Sequence, residues 1–350
     1  MKARMGCKHW IFLALSSLLL LSACARERPT YEEQSYVFGT LVEVSIYGED
    51  EARAKQAAAS VMQEFQRLHD ALHAWEPSPL SDLNAALAQG ESREVTPEIA
   101  AILKDATQLS EQSGHLFNPA IGDLVRLWGF HADEFKAELP DAEAVAALVV
   151  ANPRMSDLVF DGEKVSSRNK AVSIDLGGYA KGYALDRAAT LLRQQGVNNA
   201  LINIGGNVMA LGTHGDRAWR VGIQHPRKPG PIATMALRDG EAIGTSGDYQ
   251  RYFELNGKRY CHLIDPRNGW PTQGVQAVTI VMRGARAGTL SDAPSKPLFI
   301  SGVDGWRDAA RRMQADEAML IDADGVAHVT TAMRKRLEFA DKATVVREEP

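Results

Sequence analysis

The stretch Val172-Ser-Ile-Asp-Leu-Gly-Gly-Tyr-Ala-Lys-Gly-Tyr-Ala-Leu-Asp186 gives the clearest indication of local fold and of a binding site in this chain. Its apolar start predicts a strand, the glycine pair a turn, and the residues that follow a helix. A helix that begins on glycines presents unpaired backbone N–H groups, which bind phosphate well. Gly177, Gly178 and Gly182 would let the backbone approach a ligand closely, and Lys181 adds a mobile cation. The same pattern also fits a tight strand–helix junction that binds nothing.

The segments on either side predict one large α+β domain. A long amphipathic helix is expected over residues 52–73, and Thr96 followed by Pro97 is typical of the start of another helix. Extended segments are predicted for residues 36–47, 158–166, 172–176, 200–204, 208–211, 219–223, 234–237, 242–243, 249–255, 258–264, 275–282 and 318–326. Turns such as Asn256-Gly257 favour hairpins. The sequence therefore predicts a single domain over residues 35–345 with a mainly antiparallel sheet packed against helices.

The net charge argues against one class of protein, and the cysteines argue against a disulfide. The 350 residues carry a formal net charge of -5, which argues against a nucleic-acid-binding protein because such proteins present a basic surface. The chain has three cysteines. Cys7 and Cys24 fall in the N-terminal region described next, so Cys261 remains alone and no intramolecular disulfide is expected.

The first 23 residues have the pattern of a secretory signal peptide. Basic residues precede a short apolar run, which ends in Leu21-Ser-Ala-Cys24. This ending resembles a bacterial lipobox, in which Cys24 is lipidated and residues 24–34 form a polar tether. The alternative is an ordinary signal peptide with an incidental cysteine. We expect an exported protein that is lipid-anchored to a bacterial membrane and faces the periplasm; Ala25 leaves the outer membrane open.

Several polar turns fall at the ends of predicted strands, where a folded sheet would gather them on one rim. They are Gly177-Gly178 with Lys181, Gly205-Gly206-Asn207, Thr245-Ser-Gly-Asp248, His262 with Asp265, and Ser291-Asp292. Each has an ordinary structural explanation when it is taken alone. Together they predict a polar binding site.

The order of these motifs resembles the ApbE family. The residues that carry the resemblance are Phe38-Gly-Thr40, Ser78 with Asn84, Leu127-Trp-Gly-Phe130, Asp175-Leu-Gly-Gly-Tyr-Ala-Lys-Gly182, Asn203-Ile-Gly-Gly-Asn207, Gln224-His-Pro226, Thr245-Ser-Gly-Asp-Tyr249 and His262-Leu-Ile-Asp-Pro-Arg-Asn-Gly269. The match runs from about Tyr36 to Phe299. It implies a T-fold-like arrangement.

The resemblance also implies an activity. ApbE proteins are bacterial FAD:protein FMN transferases, which move the FMN half of FAD onto a Thr or Ser hydroxyl of another protein and release AMP. Family members work at the outer face of the inner membrane, often as lipoproteins. Their acceptors include subunits of ion-pumping redox complexes and a membrane regulator of nitrous oxide reduction.

The site residues follow from the same resemblance. FAD-binding positions are Phe38, His73, Ala74, Trp75, Asn118 (where the family commonly has Asp), Gly178, Lys181, Thr245, Ser246, Gly247 and His262. His262 is the candidate base, since an imidazole takes up a proton near neutral pH. Asp265 is expected either to orient that imidazole or to be the base itself.

A magnesium ion is implied as well, with the Asp292 side chain and the Ala180 carbonyl as ligands. Lys296 stands where the family has a threonine ligand, and an ammonium cannot bind Mg²⁺ because it has only donors. If Lys296 points inward, its charge replaces part of the metal's role; if it points outward, Ser295 is the remaining oxygen donor. We therefore expect weak or absent Mg²⁺ dependence.

Two other functions remain open at this point. One is an FAD-holding lipoprotein that delivers flavin with weak or no transfer. The other is an FAD pyrophosphatase, in which water replaces the acceptor hydroxyl.

Overall fold

The computed structural model describes residues 30–132 and 134–349. The predicted signal peptide, the lipobox and Cys24 lie outside these residues. Within the described ranges, the apolar length that a membrane-crossing helix needs is not reached by any helix.

Over the described residues the strands outnumber the helices. They are β1 (Thr30–Val37), β2 (Thr40–Tyr47), β3 (Arg93–Glu94), β4 (Leu158–Asp161), β5 (Lys164–Ser167), β6 (Ala200–Ile204), β7 (Asn207–Leu211), β8 (Trp219–Gln224), β9 (Pro231–Leu237), β10 (Glu241–Gly247), β11 (Tyr252–Leu255), β12 (Lys258–Cys261), β13 (Ile264–Asp265), β14 (Trp270–Pro271), β15 (Val275–Arg283), β16 (Glu317–Asp322), β17 (Ala327–Thr330), β18 (Glu338–Phe339) and β19 (Val346–Glu349). The helices are α1 (Glu51–Leu72), α2 (Pro79–Gln89), α3 (Pro97–Gln112), α4 (Gly122–Leu127), α5 (Ala142–Ala151), α6 (Ala180–Gln194), α7 (Ala287–Asp292), α8 (Ser295–Ile300), α9 (Gly302–Arg312) and α10 (Thr331–Arg334), with a 3₁₀ turn at Met155–Asp157.

A nine-stranded sheet with the order β1-β2-β6-β7-β10-β15-β16-β17-β19 forms the centre of the fold. All neighbours in it pair antiparallel except β17 and β19, which are parallel. The predicted α+β class with a mainly antiparallel sheet is confirmed. Because β19 ends at Glu349, the domain continues past the predicted limit at residue 345.

The two faces of the sheet bury different layers. Alternate residues of β2, such as Val44 and Ile46, join Val61 and Phe65 of α1 in the main core. On the opposite face, the small sheet β18-β9-β8 packs through residues such as Trp219. The predicted amphipathic helix over residues 52–73 is confirmed, and Thr96 caps α3 by accepting a hydrogen bond from the Ile99 N–H at 3.2 Å.

The first strand prediction needs correction. Residues 36–47 form two paired strands rather than the one extended segment predicted, and residues 30–34 belong to β1 rather than to the tether. Phe38 and Gly39 make the turn between them, and both have positive φ, of 56° and 68°. A two-residue hairpin turn of the I′ type requires this conformation, which a phenylalanine adopts only at a cost.

The apolar segment before the glycine pair is extended but is not a strand of a sheet. It is held by Asn84, which accepts from the Ile174 N–H at 2.7 Å and donates to the Ile174 carbonyl at 2.9 Å. The Ser173 and Asp175 N–H groups donate to carbonyls of the loop at residues 119–120. The strand predicted for residues 172–176 is therefore replaced by a loop-to-loop contact that fixes the entry into α6.

Gly182 has a packing role rather than the predicted ligand role. A Cβ there would lie 2.4 Å from the Gly288 carbonyl oxygen and 2.6 Å from the Asp292 Cβ. Asp186, one turn later, accepts from the Gly288 and Thr289 N–H groups at 2.8 Å and so caps α7. These contacts bring α7 against the first turn of α6.

Candidate active site

A cavity of about 300 Å³ opens where these elements meet. Its wall combines the β1–β2 turn, the end of α1, the loop before α4, the first turn of α6, strand β10, the segments beside β11 and β12, and helix α8. The lining residues are Phe38, Gly39, His69, Leu72, His73, Ala74, Trp75, Leu116, Phe117, Asn118, Pro119, Ile121, Val125, Phe130, His131, Asp175, Gly177, Gly178, Ala180, Lys181, Thr245, Ser246, Gln250, Arg251, His262, Leu263, Ile264, Lys296 and Ile300. Most of the predicted site residues therefore face one cavity; Gly247, Asp265 and Asp292 do not line it.

The start of α6 forms the polar side of the cavity. Gly177 and Gly178 precede the helix, and the Asp175 carboxylate accepts from the Gly177 N–H at 2.7 Å. Burial raises the pKa of Asp175, although this hydrogen bond and nearby cations oppose the rise. Within residues 30–132 and 134–349, no hydrogen bond or ion pair engages the Lys181 ammonium. Lys181 is thus available to an anionic ligand.

His262 is a neutral imidazole at neutral pH. Burial, together with the charges of Lys181 and Arg251, lowers its pKa to about 3. Its Nδ1 lies 3.2 Å from the Arg251 carbonyl oxygen, which only accepts, so Nδ1 carries the hydrogen and donates. The Nε2 atom consequently keeps a free lone pair for accepting a proton.

Asp265 makes no hydrogen bond to that imidazole. Its carboxylate accepts hydrogen bonds from Arg267, at 2.9 Å from the backbone N–H and at 2.6 Å from the guanidinium. The group that orients His262 is the Arg251 carbonyl. This geometry corrects the expectation that Asp265 orients the histidine, and it leaves the Asp265 carboxylate neutralised and outside the cavity wall.

The wall at the end of α1 is aromatic. The rings of Phe38, His69 and His73 contact one another edge to face, with centroids 5.7 Å apart for the first pair and 5.0 Å for the second. His73 Nδ1 accepts from the N–H of Trp75 at 3.2 Å, which fixes the backbone of the predicted FAD-binding residues His73, Ala74 and Trp75. Trp75 in turn contacts the ring of His131 at 5.5 Å. Such a surface suits a planar ring system.

The hydrogen bonds of Asn118 explain why this chain has an asparagine where the ApbE pattern commonly has an aspartate. Its amide Nδ2 donates to the Pro153 carbonyl at 2.8 Å, while Oδ1 accepts from the Ala120 N–H at 3.2 Å. An ionised aspartate would have no hydrogen to donate to Pro153. The asparagine therefore holds the loop that lines the cavity.

The stretch Thr245-Ser-Gly247 is part of strand β10, not a turn as predicted. Ser246 bonds the hydroxyl of Ser295 at 2.7 Å and so ties the strand to α8. Gly247 does not line the cavity, and a Cβ there would lie 2.3 Å from the ring of Tyr249. Thr245 and Ser246 remain on the wall.

The residues around Asp292 do not fit a magnesium ion. The Lys296 ammonium forms an ion pair with Asp292 Oδ1 and donates to the Asp292 carbonyl oxygen at 2.8 Å. The other carboxylate oxygen accepts from the Gly182 N–H at 2.9 Å. The Ser295 hydroxyl is also engaged, since it donates to the Asp292 carbonyl oxygen at 2.6 Å and therefore accepts from the Ser246 hydroxyl at 2.7 Å. Over the described ranges, His, Cys, Asp and Glu side chains nowhere come together in a group of three or more that suits a metal.

Lys296 thus points inward. Burial lowers the pKa of its ammonium, and the Asp292 carboxylate opposes that shift. Of the two ligands predicted beside it, Ala180 lines the cavity and Asp292 lies behind the lysine.

Arg251 is the main site residue that the sequence did not reveal. Its guanidinium donates to the carbonyls of Phe130 and Ala132 at 3.0 and 2.9 Å and stacks against Phe135 at 5.1 Å. No described carboxylate forms an ion pair with it. An arginine before a short strand has no local signature; only the neighbouring Thr245–Tyr249 motif pointed to this region.

Comparison with known proteins places these features in context. The family model described as ApbE family matches residues 38–321. An FAD:protein FMN transferase of Rhodobacter capsulatus is 42% identical over 333 residues, which are 94% of this chain and 63% of that protein. One of Klebsiella pneumoniae (strain 342) is 31% identical over 318 residues, 89% of this chain and 95% of that protein. A crystal structure of the ApbE protein from Thermotoga maritima has a TM-score of 0.81 at 28% identity and covers 88% of this chain and 99% of that one.

Proposed function

Since this chain belongs to the ApbE family, we propose that it is an FAD:protein FMN transferase. The observation that carries the proposal is the pair of cations, Lys181 and Arg251, that face one cavity without a carboxylate partner in the part of the chain that the structure describes. Two such charges next to a helix start attract a ligand with two negative charges. The diphosphate of FAD has that charge.

The two kinds of wall suit the two parts of FAD. The diphosphate binds against the start of α6, beside Gly178 and Lys181. The aromatic side around Phe38 and Trp75 gives a planar ring a surface to contact. FAD is the substrate, and its FMN half is the group that is moved.

The reaction is a displacement at phosphorus. The oxygen of a Thr or Ser hydroxyl on the acceptor forms a bond to the phosphorus of the FMN half, and the bond from that phosphorus to the bridging oxygen of the diphosphate breaks. AMP leaves with the bridging oxygen, and the hydroxyl proton is accepted by a base. Because little covalent chemistry is required, the site acts by positioning and by neutralising charge.

His262 is the base in this proposal. It is neutral in the free site, its Nδ1–H is held by the Arg251 carbonyl, and its Nε2 accepts the proton. Bound diphosphate opposes the field of Lys181 and Arg251, which raises the pKa of the imidazole when the proton has to be taken up. Asp265 takes no part in the proposed transfer reaction.

The acceptor and the location are part of the proposal. The acceptor is a threonine or serine of an extracytoplasmic redox protein, such as a subunit of an ion-pumping complex or a regulator of nitrous oxide reduction. The protein reaches it as a periplasm-facing lipoprotein anchored through Cys24. Labelled fatty acid should be incorporated into the full chain and not into Cys24→Ser; equal labelling of both would overturn the anchor.

The test of the activity is the mass of an acceptor domain incubated with FAD and the protein. We expect an increase equal to FMN less water. His262→Ala should slow this addition by about 10²–10⁴-fold, whereas His214→Ala, which removes a histidine outside the cavity wall, should leave it unchanged. An acceptor that stays unmodified with wild-type protein and bound FAD would contradict the proposal.

A further inference from the structure

The side chain of Lys296 separates the Asp292 carboxylate from the cavity. Lys296 lines the cavity, while Asp292 does not and is 1% exposed. A ligand in the cavity therefore meets the ammonium of the lysine first and the carboxylate only behind it.

Each oxygen of the carboxylate already accepts from a donor of the protein. Lys296 holds Oδ1, and the Gly182 N–H holds Oδ2 at 2.9 Å. The backbone carbonyl of Asp292 accepts from both Lys296 and Ser295, at 2.8 and 2.6 Å. A magnesium ion needs oxygen lone pairs that face it, and between this carboxylate and the cavity the Lys296 ammonium takes that place.

The lysine is also fixed in place. It lies four residues after Asp292, its side chain is 13% exposed, and its stem passes over Gly178, where a Cβ would come within 3.3 Å of Cε. The ammonium is therefore held beside the glycine turn and the first residues of α6.

We propose that the Lys296 ammonium permanently occupies the cation position beside the diphosphate, so that FMN transfer by this protein requires no divalent metal ion. The inference rests on the transferase function proposed above and deepens it. A lysine is a compact point charge and binds phosphate in that capacity.

The charge balance of the site is consistent with this arrangement. Lys296 and Asp292 neutralise each other as a pair, with the positive end toward the cavity. Lys181 and Arg251 remain to match the two negative charges of a diphosphate. A divalent ion added to this balanced set would bring two positive charges that no negative charge of the set compensates.

The deciding experiment uses the full chain freed of metal by EDTA and dialysis. Transfer of FMN to an acceptor domain should proceed at the same rate in EDTA and across a magnesium series. Loss of transfer in EDTA with recovery on adding Mg²⁺ would overturn the inference. Calorimetric titration of Mg²⁺ into the FAD-loaded wild-type protein should give no binding heat.

The variant Lys296→Thr frees the Asp292 oxygen and adds a hydroxyl. It should bind Mg²⁺ in the titration, gain thermal stability from Mg²⁺, and lose transfer by at least about 100-fold in EDTA. Lys342→Thr, which removes an exposed lysine before β19, should behave like the wild type in every assay. If Lys296→Thr does not fold, the two wild-type measurements still decide the question.

Failure of the transferase function has a different signature. In that case no protein modifies the acceptor under any condition, and calorimetry alone decides the lysine inference. Magnesium binding by the wild type would overturn it, and binding by Lys296→Thr alone would support it.

Discussion

The charge of the His262 imidazole is determined by its surroundings. Burial, Lys181 and Arg251 all disfavour the imidazolium, and Lys296 adds to the same effect, so that the pKa is about 3. An imidazole can accept a proton only from its neutral form, and these surroundings favour that form.

The same pKa predicts how stability depends on pH. The unfolded chain binds a proton at His262 below about pH 6.5, while the folded chain binds it only near pH 3. The contribution of His262 to stability is therefore complete above pH 6.5 and is lost as the pH falls from 6.5 to 3, by up to about 1.4 kcal/mol per unit. Urea unfolding of wild type and His262→Asn from pH 7.5 to 4.5 should show a smaller loss for the variant; parallel curves would contradict this.

Several contacts of single residues could not be predicted from the sequence. Lys296 was recognisable as a departure from the family pattern, but its direction depends on Asp292 and Gly178, which only the fold brings next to it. Arg251 carries no local pattern at all. The pairing of Asp265 with Arg267 was hidden because both residues belong to a motif that suggested a role with His262.

At the scale of helices and strands, the features that depend only on residues close together in the sequence were predicted correctly. The Thr96 cap, the amphipathic spacing of α1 and the turn at Asn256-Gly257 were all found in the expected places. The Phe38-Gly39 hairpin was missed because a phenylalanine gives no sign that it adopts positive φ. The segment over residues 172–176 is apolar like a strand, yet its hydrogen bonds go to Asn84 and to a loop.

The contact between α6 and α7 gives a prediction at this scale. Gly182→Ala places a methyl group 2.4 Å from the Gly288 carbonyl oxygen, so the two helices have to separate. We expect a loss of about 1–3 kcal/mol in the free energy of unfolding, because overpacking outweighs the better helix propensity of alanine. Chemical denaturation measures it.

Gly305→Ala in α9 is the control, since its nearest contact would be the Ser301 Cβ at 3.0 Å on a partly exposed helix. Its loss should be clearly smaller. A stability of Gly182→Ala equal to that of the wild type would show that the helix contact is not tight.

For the whole molecule, the central sheet is what assembles the site. Residues from Phe38 to Ile300 share one cavity, although they lie on elements spread over most of the chain. The sequence predicted the class of the fold, and most of the site residues that it predicted line this cavity, because the motifs occur in a recognisable order. It did not predict the cavity itself, since its shape comes from packing between distant segments.

The central claim is that an acceptor hydroxyl displaces AMP from FAD in this cavity. The most direct measurement is the amount of AMP and of free FMN released by the wild-type protein with FAD, in the presence and absence of an acceptor domain. We predict one AMP per modified acceptor, no free FMN, and no AMP without acceptor. Equal release of AMP and free FMN without acceptor would identify a pyrophosphatase, and bound FAD that is never cleaved would identify a flavin-holding protein; either result contradicts the claim.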